Sequence, residues 1–494
     1  MNKTFVRRSG ALFVGLALLA TACGSDDKTE STSAPTTTAA AAPTTEAAAP
    51  TTEAAPETTE ATETTEATET TEATETTEAT ETSEATETTE AGTPGEAGAL
   101  EGFKGTTPLV DLSQDFKDKL LAIDPDLKDF NYGAETYDAI TLIALAVVQA
   151  KTDGIEYANE INGLTRDGEK CTSFAECLPL VEAGTDIDYD GVSGPLTFSG
   201  NGEPTEASYG VLSFGADDRI DDSKTTYIQA TAPASADVPQ QDAEGTRAGD
   251  GTLTIGSILP QTGSLAFLGP PEFAAFDLAI QEINAAGGVL GKDVVGIKGD
   301  SGDATTDTAS KTVDNLLSQN VDAIVGAASS GVSLTVIDKI TGAGVVQFSP
   351  ANTSKKLSTY ADKGLYFRTA PSDIVQGAVL ASIIADDGND TVAIIARNDA
   401  YGTGLAEDLT ANLEAAGLEV VVTKVYDEKA GPADTDIDAL KAADPAAIAV
   451  IGFDESSKIL ASMVEKGIGP KDVNVYGVDG NTGNALGENF DAGK

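Results

Sequence analysis

Histidine and tryptophan are absent from all 494 residues, and there are only three cysteines and two methionines. Without imidazole there is no Ser-His-Asp or Cys-His nucleophile system and no histidine metal site. An enzyme would have to work with carboxylates, lysine or tyrosine. Basic residues are also scarce: 30 Lys and Arg stand against 80 Asp and Glu, a formal charge of −50. That balance excludes a nucleic-acid partner, because phosphate binding draws on Lys and Arg. Apart from one stretch near the amino terminus, itself too short to span a membrane as a mature helix, there is no long apolar run.

That stretch, residues 1–23, has a basic start (Lys3, Arg7, Arg8) and the apolar run Ala11 to Ala20, then Thr21-Ala22-Cys23. It fits an export signal. The small residues before Cys23 resemble the lipobox of bacterial lipoproteins, with Ala20 where leucine is usual. The resemblance implies an acylated Cys23 and a protein held on the outer face of the cell membrane by that anchor alone. Residues 24–96 are low complexity, with Glu every third position from Glu57 to Glu90 and no large apolar side chain from Thr51 on. Such a tract cannot offset its ordering entropy, and like charges extend it, so a disordered stalk is expected. The other cysteines, Cys171 and Cys177 in KCTSFAEC, are spaced for a small-loop disulfide, two free thiols being the alternative. A zinc site would lack ligands.

Residues 97–230 hold one strongly apolar helix, Gly133 to Lys151, weaker helices, and too few strands for a sheet of their own. Residues 231–250, TAPASADVPQQDAEGTRAGD, read as a linker. As a flexible coil it would span about 25 Å. From Leu253 strands and helices alternate to the end, and Gly287-Gly288, Gly417 and Gly467 mark helix ends. This pattern predicts an α/β fold with two doubly wound parallel-sheet lobes of about four strands each, at 251–370 and 371–494.

The stretch 321–353, VDAIVGAASSGVSLTVIDKITGAGVVQFSPANT, reads as a βαβ unit with hydroxyl residues where each strand ends. Ligands of open parallel sheets collect beyond those strand ends. Free N–H groups at a helix start, with Ser hydroxyls beside them, favour a carboxylate. Ordinary turn and capping roles are the alternative for any one of these serines. Two further acidic loops, Gly299 to Asp303 and Asp186 to Gly191, only imitate functional motifs. The first has no histidine to act as base, and the second has Thr197 where a calcium loop needs glutamate.

IGSILPQTGSLAFLG, LAIQEINAAGGVLGKDV, GAASSGVS, SPANTS, NDAYGTGLAEDL and YGVDG give residues 251–494 a close resemblance to the amino-terminal two thirds of type I solute-binding proteins of branched-chain amino-acid ABC transporters. NYGAETYDAITLIALA and YDGVSGPLTFSGNGEP make residues 97–215 resemble that family's carboxy-terminal third. The order is therefore rotated. One circularly permuted binding protein is expected, with 97–230 completing both lobes. A truncated tandem and a sequence-assembly error are the alternatives.

The resemblance implies a three-segment hinge near 100–108, 195–208 and 366–372. It also implies a carboxylate-binding set of Ser330, Ala351 and Thr353, and an acid for the ligand ammonium at Asp479. Tyr401 matches a pocket tyrosine, and Phe267, Phe453 and Tyr132 fall where the side-chain pocket is lined. No catalytic residue, cofactor or metal is expected. The implied function is delivery of a branched-chain amino acid or similar small molecule to an ABC permease by a lipid-anchored, extracytoplasmic monomer. The alternative is a sensory module for an amide or other small polar solute, without transport.

Overall fold

The strands of the upstream part find their partners far downstream. The computed structural model describes residues 98–493. Cys23, the export signal and the stalk lie outside the described residues. The upstream part contains β1 (Lys104–Pro108), α1 (Gln114–Ile123), α2 (Gly133–Ala150), β2 (Glu169–Cys171), α3 (Phe174–Glu182), β3 (Ile187–Tyr189), β4 (Glu206–Ser213) and β5 (Thr226–Thr231). Next come β6 (Thr254–Ile258), α4 (Gly269–Ala285), β7 (Val295–Ile297), α5 (Thr308–Ser318), β8 (Ala323–Gly326), α6 (Ser330–Gly342), β9 (Val346–Ser349) and β10 (Tyr366–Arg368). The last series is α7 (Asp373–Asp386), β11 (Thr391–Arg397), α8 (Gly402–Ala415), β12 (Glu419–Tyr426), α9 (Asp434–Ala443), β13 (Ala447–Ile451), α10 (Ser456–Glu465), β14 (Asn474–Gly477) and α11 (Asn484–Asp491).

The first large sheet is parallel throughout, in the order β10-β9-β8-β6-β7. The second has the order β12-β11-β13-β14-β1-β4-β5. There β1 runs parallel to β14, with Lys104 opposite Tyr476, while β4 is antiparallel to both β1 and β5. The second sheet is thus mixed and larger than the about four parallel strands expected of each lobe, because the upstream strands join it. Local periodicity could not show it, because β1, β4 and β5 are completed only by each other and by β14. Residues 366–368, expected as plain crossover, also form an edge strand on β9.

Why α2 is buried follows from its composition: GAETYDAITLIALAVVQA has apolar residues on most faces, and every residue from Gly133 to Val147 is buried. It packs on α4 and against β8 and β9. Its Ile140, Leu142 and Ile143 share one core with Ile255, Phe276, Val325 and Phe348. Full burial of each such side chain contributes about 1.5–3 kcal/mol. Cys171 and Cys177 are joined by a disulfide, with Cα atoms 5.4 Å apart. At the end of α8, Gly417 takes φ 87°. Leu418 N–H then reaches Leu413 O, and Gly417 N–H reaches Glu414 O, which closes the helix with the usual glycine-dependent pair of bonds.

Between the two sheets the chain passes after β1, before β4 and after β10, and a fourth time from β5 to β6. That last passage includes residues 231–250, expected as a free coil. Instead it is docked. Ala232 N–H donates to Thr205 O (2.7 Å), Gly200 N–H to Val238 O (2.9 Å) and Glu244 N–H to Lys363 O (2.9 Å). Ala243 N–H donates to Asn159 Oδ1 (2.8 Å). Arg247 pairs with Asp322 at 2.7 Å. The Asp153 carboxylate accepts from the N–H groups of Asp250, Gly251 and Thr252. A polar, proline-containing sequence carries no trace of such partners, since they come from elsewhere in the fold.

Candidate functional site

The turns that end β8 and β9 face the second lobe across a cleft. Ser329 caps α6, its side chain accepting from Val332 N–H. Ser349 locks the second turn: its Oγ accepts from Asn352 N–H (2.9 Å) and donates to Ala327 O (2.7 Å). Ser330 Oγ takes Ser354 N–H at 3.3 Å. The Thr353 hydroxyl is buried, and it acts on the Asp373 carboxyl as a hydrogen-bonding neighbour that holds it down.

Beneath these turns runs a buried ion pair. The Arg368 guanidinium bonds the Glu203 carboxylate and also donates to the carbonyls of Asn352 (3.1 Å) and Ser354 (3.0 Å), on either side of Thr353. Glu203 precedes β4 and Arg368 ends β10, so two of the passages between lobes meet under the turn.

Across the cleft, Asp479 follows β14 and is 3% exposed. Tyr132 Oη donates to its Oδ2 at 2.7 Å, and Tyr401 Oη to its Oδ1 at 2.6 Å. Burial raises the Asp479 carboxyl, while the two phenols hold it down. Both phenols are pushed well up, by burial and then by the Asp479 charge, so they stay protonated as donors. The Tyr401 and Phe453 rings stack at 5.4 Å, and the Arg397 guanidinium lies 3.6 Å from the Phe453 centroid. Arg397 is itself held by Asp399 and Glu455. At the mouth, Asp454 N–H reaches across to Ser264 O at 3.3 Å.

Ser330, Ala351, Thr353, Tyr401, Asp479, Phe453 and Tyr132 line one narrow cavity of about 10 Å³. Phe267 is not among its lining residues. Leu265 and Leu268 take that wall, while the Phe267 ring sits beside Gly483. The short helical turn Ala266–Leu268 rotates successive side chains to different faces, which a motif position does not reveal. The sequence reading also missed Asp373, the first residue of α7. It is fully buried, its N–H donates to Thr353 O at 2.7 Å, and the Asp479 charge raises its carboxyl further after burial. In sequence it passes for a capping acid after Ser372.

Chemically, the cavity has a helix start and hydroxyls on one wall, a carboxylate with two phenol donors on the other, and aromatic rings between. That suits a small zwitterion: an anion at the α6 start, a cation at Asp479 and an apolar body against Tyr401 and Phe453. Among the described residues no group of three or more acids or cysteines is placed to hold a metal ion.

Two parallel-rich α/β lobes, with hydroxyl turns on one side and an aromatic-flanked acid on the other, define a type I binding-protein architecture. Residues 252–493 match the family described as periplasmic binding protein. The chemotactic signal transduction system substrate-binding protein BasB of Halobacterium salinarum is 33% identical over 217 residues, 42% of this chain and 51% of the relative. The Leu/Ile/Val-binding protein BraC3 of Rhizobium johnstonii is 32% identical over 192 residues, 38% of this chain and 50% of the relative. The chain thus spans about half the length of the curated relatives it matches. The branched-chain amino acid transporter substrate-binding protein LivJ of Streptococcus pneumoniae, solved with isoleucine, is 28% identical with a TM-score of 0.44, covering 48% of this chain and 67% of that chain.

Proposed function

We propose that the protein is a non-catalytic, extracytoplasmic receptor that closes its lobes over a branched-chain or similar α-amino acid and passes it to an ABC permease. The observation that carries this reading is the convergence of Ser330, Ala351 and Thr353 with Tyr401, Asp479 and Tyr132 on one cavity. The Leu/Ile/Val-binding name of a relative supports the ligand class. Cys23 is the proposed lipid anchor. The rotated order is that of a circular permutant, with 216–250 as the joint between the older ends. In support, Asp218 accepts from Gly98 and Leu100 N–H, and neighbouring Arg219 pairs with Asp491, so both ends of the described part meet at one loop.

A second reading, ligand sensing without transport, is favoured by the chemotactic role in the name of BasB. Calorimetric titration with leucine, isoleucine and valine tests the ligand class, with binding of at least one expected. No binding of any amino acid overturns it. Co-immunoprecipitation of a permease subunit or of a signalling receptor from membranes then separates transport from sensing.

A further inference from the structure

We propose that Arg397 is a positioning residue of the ligand cavity: its guanidinium, stacked on Phe453 and held by three carboxylates, fixes that ring and so sets which apolar side chains the cleft accepts. The inference rests on the amino-acid reading above and deepens it by naming what sets side-chain selectivity.

Arg397 closes β11, and the acids that hold it follow three neighbouring strands of the second sheet. Its Nε donates to Asp399 Oδ2, just after β11, at 2.7 Å. Nη1 donates to Glu455 Oε1, after β13, at 2.9 Å, and Nη2 to Glu428 Oε2, after β12, at 3.4 Å. The N–H groups of a guanidinium lie in its plane, so these bonds leave the flat face for a ring. That face meets Phe453, with the Arg397 Cζ 3.6 Å from the ring centroid. Arg397 is 5% exposed, and a cation–π contact is strongest where water is kept away.

Two of the same acids also hold the backbone beside the cavity rings. Glu455 Oε1 accepts from Phe453 N–H (3.1 Å) and from Tyr426 Oη (2.7 Å). Asp399 Oδ1 accepts from Gly402 N–H, next to Tyr401, at 2.7 Å. Phe453 lines both the ligand cavity and the mouth of the cleft, whereas Arg397 lines only the mouth, with Ser264 and Asp303 of the other lobe. Arg397 therefore acts through Phe453. The guanidinium backs the ring from the mouth side, and the ring cannot yield to a larger ligand side chain. A lysine would keep the charge but not the planar face or the fork that three acids hold in place.

The test is calorimetric titration of the full chain and of its Arg397→Lys variant with L-leucine and L-phenylalanine. The expected result is a leucine-to-phenylalanine affinity ratio that falls at least about tenfold in the variant, because the unsupported ring yields to the larger side chain. A merely structural role weakens both ligands together, so any smaller fall in the ratio overturns the proposal. Failure of every amino acid to bind the wild type would instead strike the ligand reading. In that case, or if the variant does not fold, ¹⁵N-arginine NMR of the ligand-free wild type decides the role of Arg397 alone. Guanidinium protons of Arg397 shifted upfield by the Phe453 ring current support it, and unshifted protons overturn it.

Discussion

Tyr132 and Asp479 are separated by 347 positions in sequence, yet the Tyr132 hydroxyl donates to the Asp479 carboxylate at 2.7 Å. Tyr132 reaches the cleft from the residue before α2, in a left-handed conformation of φ 59°. One side of the proposed ammonium site thus comes from the upstream piece and the other from the end of the chain. Tyr132→Phe removes a hydrogen bond to a charged acceptor, worth about 1.5–3 kcal/mol. Melting temperature should fall accordingly, and leucine affinity should weaken with it because Tyr132 lines the cavity. Unchanged affinity would remove Tyr132 from the site.

The Arg368–Glu203 pair ties the passage before β4 to the end of β10 under the turn at Thr353. Glu203→Gln leaves the buried guanidinium uncompensated, which costs about 3–5 kcal/mol. A lower urea midpoint at unchanged slope is the expected reading. Stability within error of the wild type would show that the pair is dispensable.

A Cβ at Gly105 on β1 would lie 1.9 Å from the Thr482 hydroxyl oxygen. Gly105→Ala should therefore destabilise the seam between β1 and β14 by about 1–3 kcal/mol, the usual cost of overpacking. Adding Thr482→Gly should restore part of the loss. The absence of any rescue would mean that the two residues do not meet.

Several of these relationships were legible in the sequence and several were not. The alternation after Leu253 gave the lobes, because each strand and helix there carries its own period. The turns after β8 and β9 stood out because they end two successive strands of one βαβ unit, and the resemblance to solute-binding proteins singled out Ser330, Ala351 and Thr353 within them. Asp373 did not, since nothing near it in sequence shows that its N–H meets Thr353 O. The strap at 231–250 read as coil because its partners, Asp153, Asn159, Asp322 and Lys363, lie elsewhere in the chain. The mixed character of the second sheet was hidden for the same reason.

Buried acids set the pH dependence of stability. Burial pushes Glu135 up to about 8, and Glu272, fully buried with both oxygens unpaired, is raised by burial and by Glu135. A carboxyl raised in the folded state contributes stability that is complete below its unfolded value of about 4.3. That contribution is lost as pH climbs through the folded value. Melting temperature should therefore fall between pH 5.5 and 8.5, and Glu135→Gln should flatten the fall. A melting temperature that rises over this interval would contradict the sign.

The most direct measurement compares L-leucine with leucinamide and 4-methylpentanoate by calorimetric titration of the wild-type chain. Leucinamide lacks the carboxylate proposed for Ser330, Ala351 and Thr353, and 4-methylpentanoate lacks the ammonium proposed for Asp479. The expected result is tight binding of leucine, with each truncated analogue weaker by at least about a hundredfold. Equal binding of all three, or of none, would contradict a cleft built to hold both ends of an amino acid.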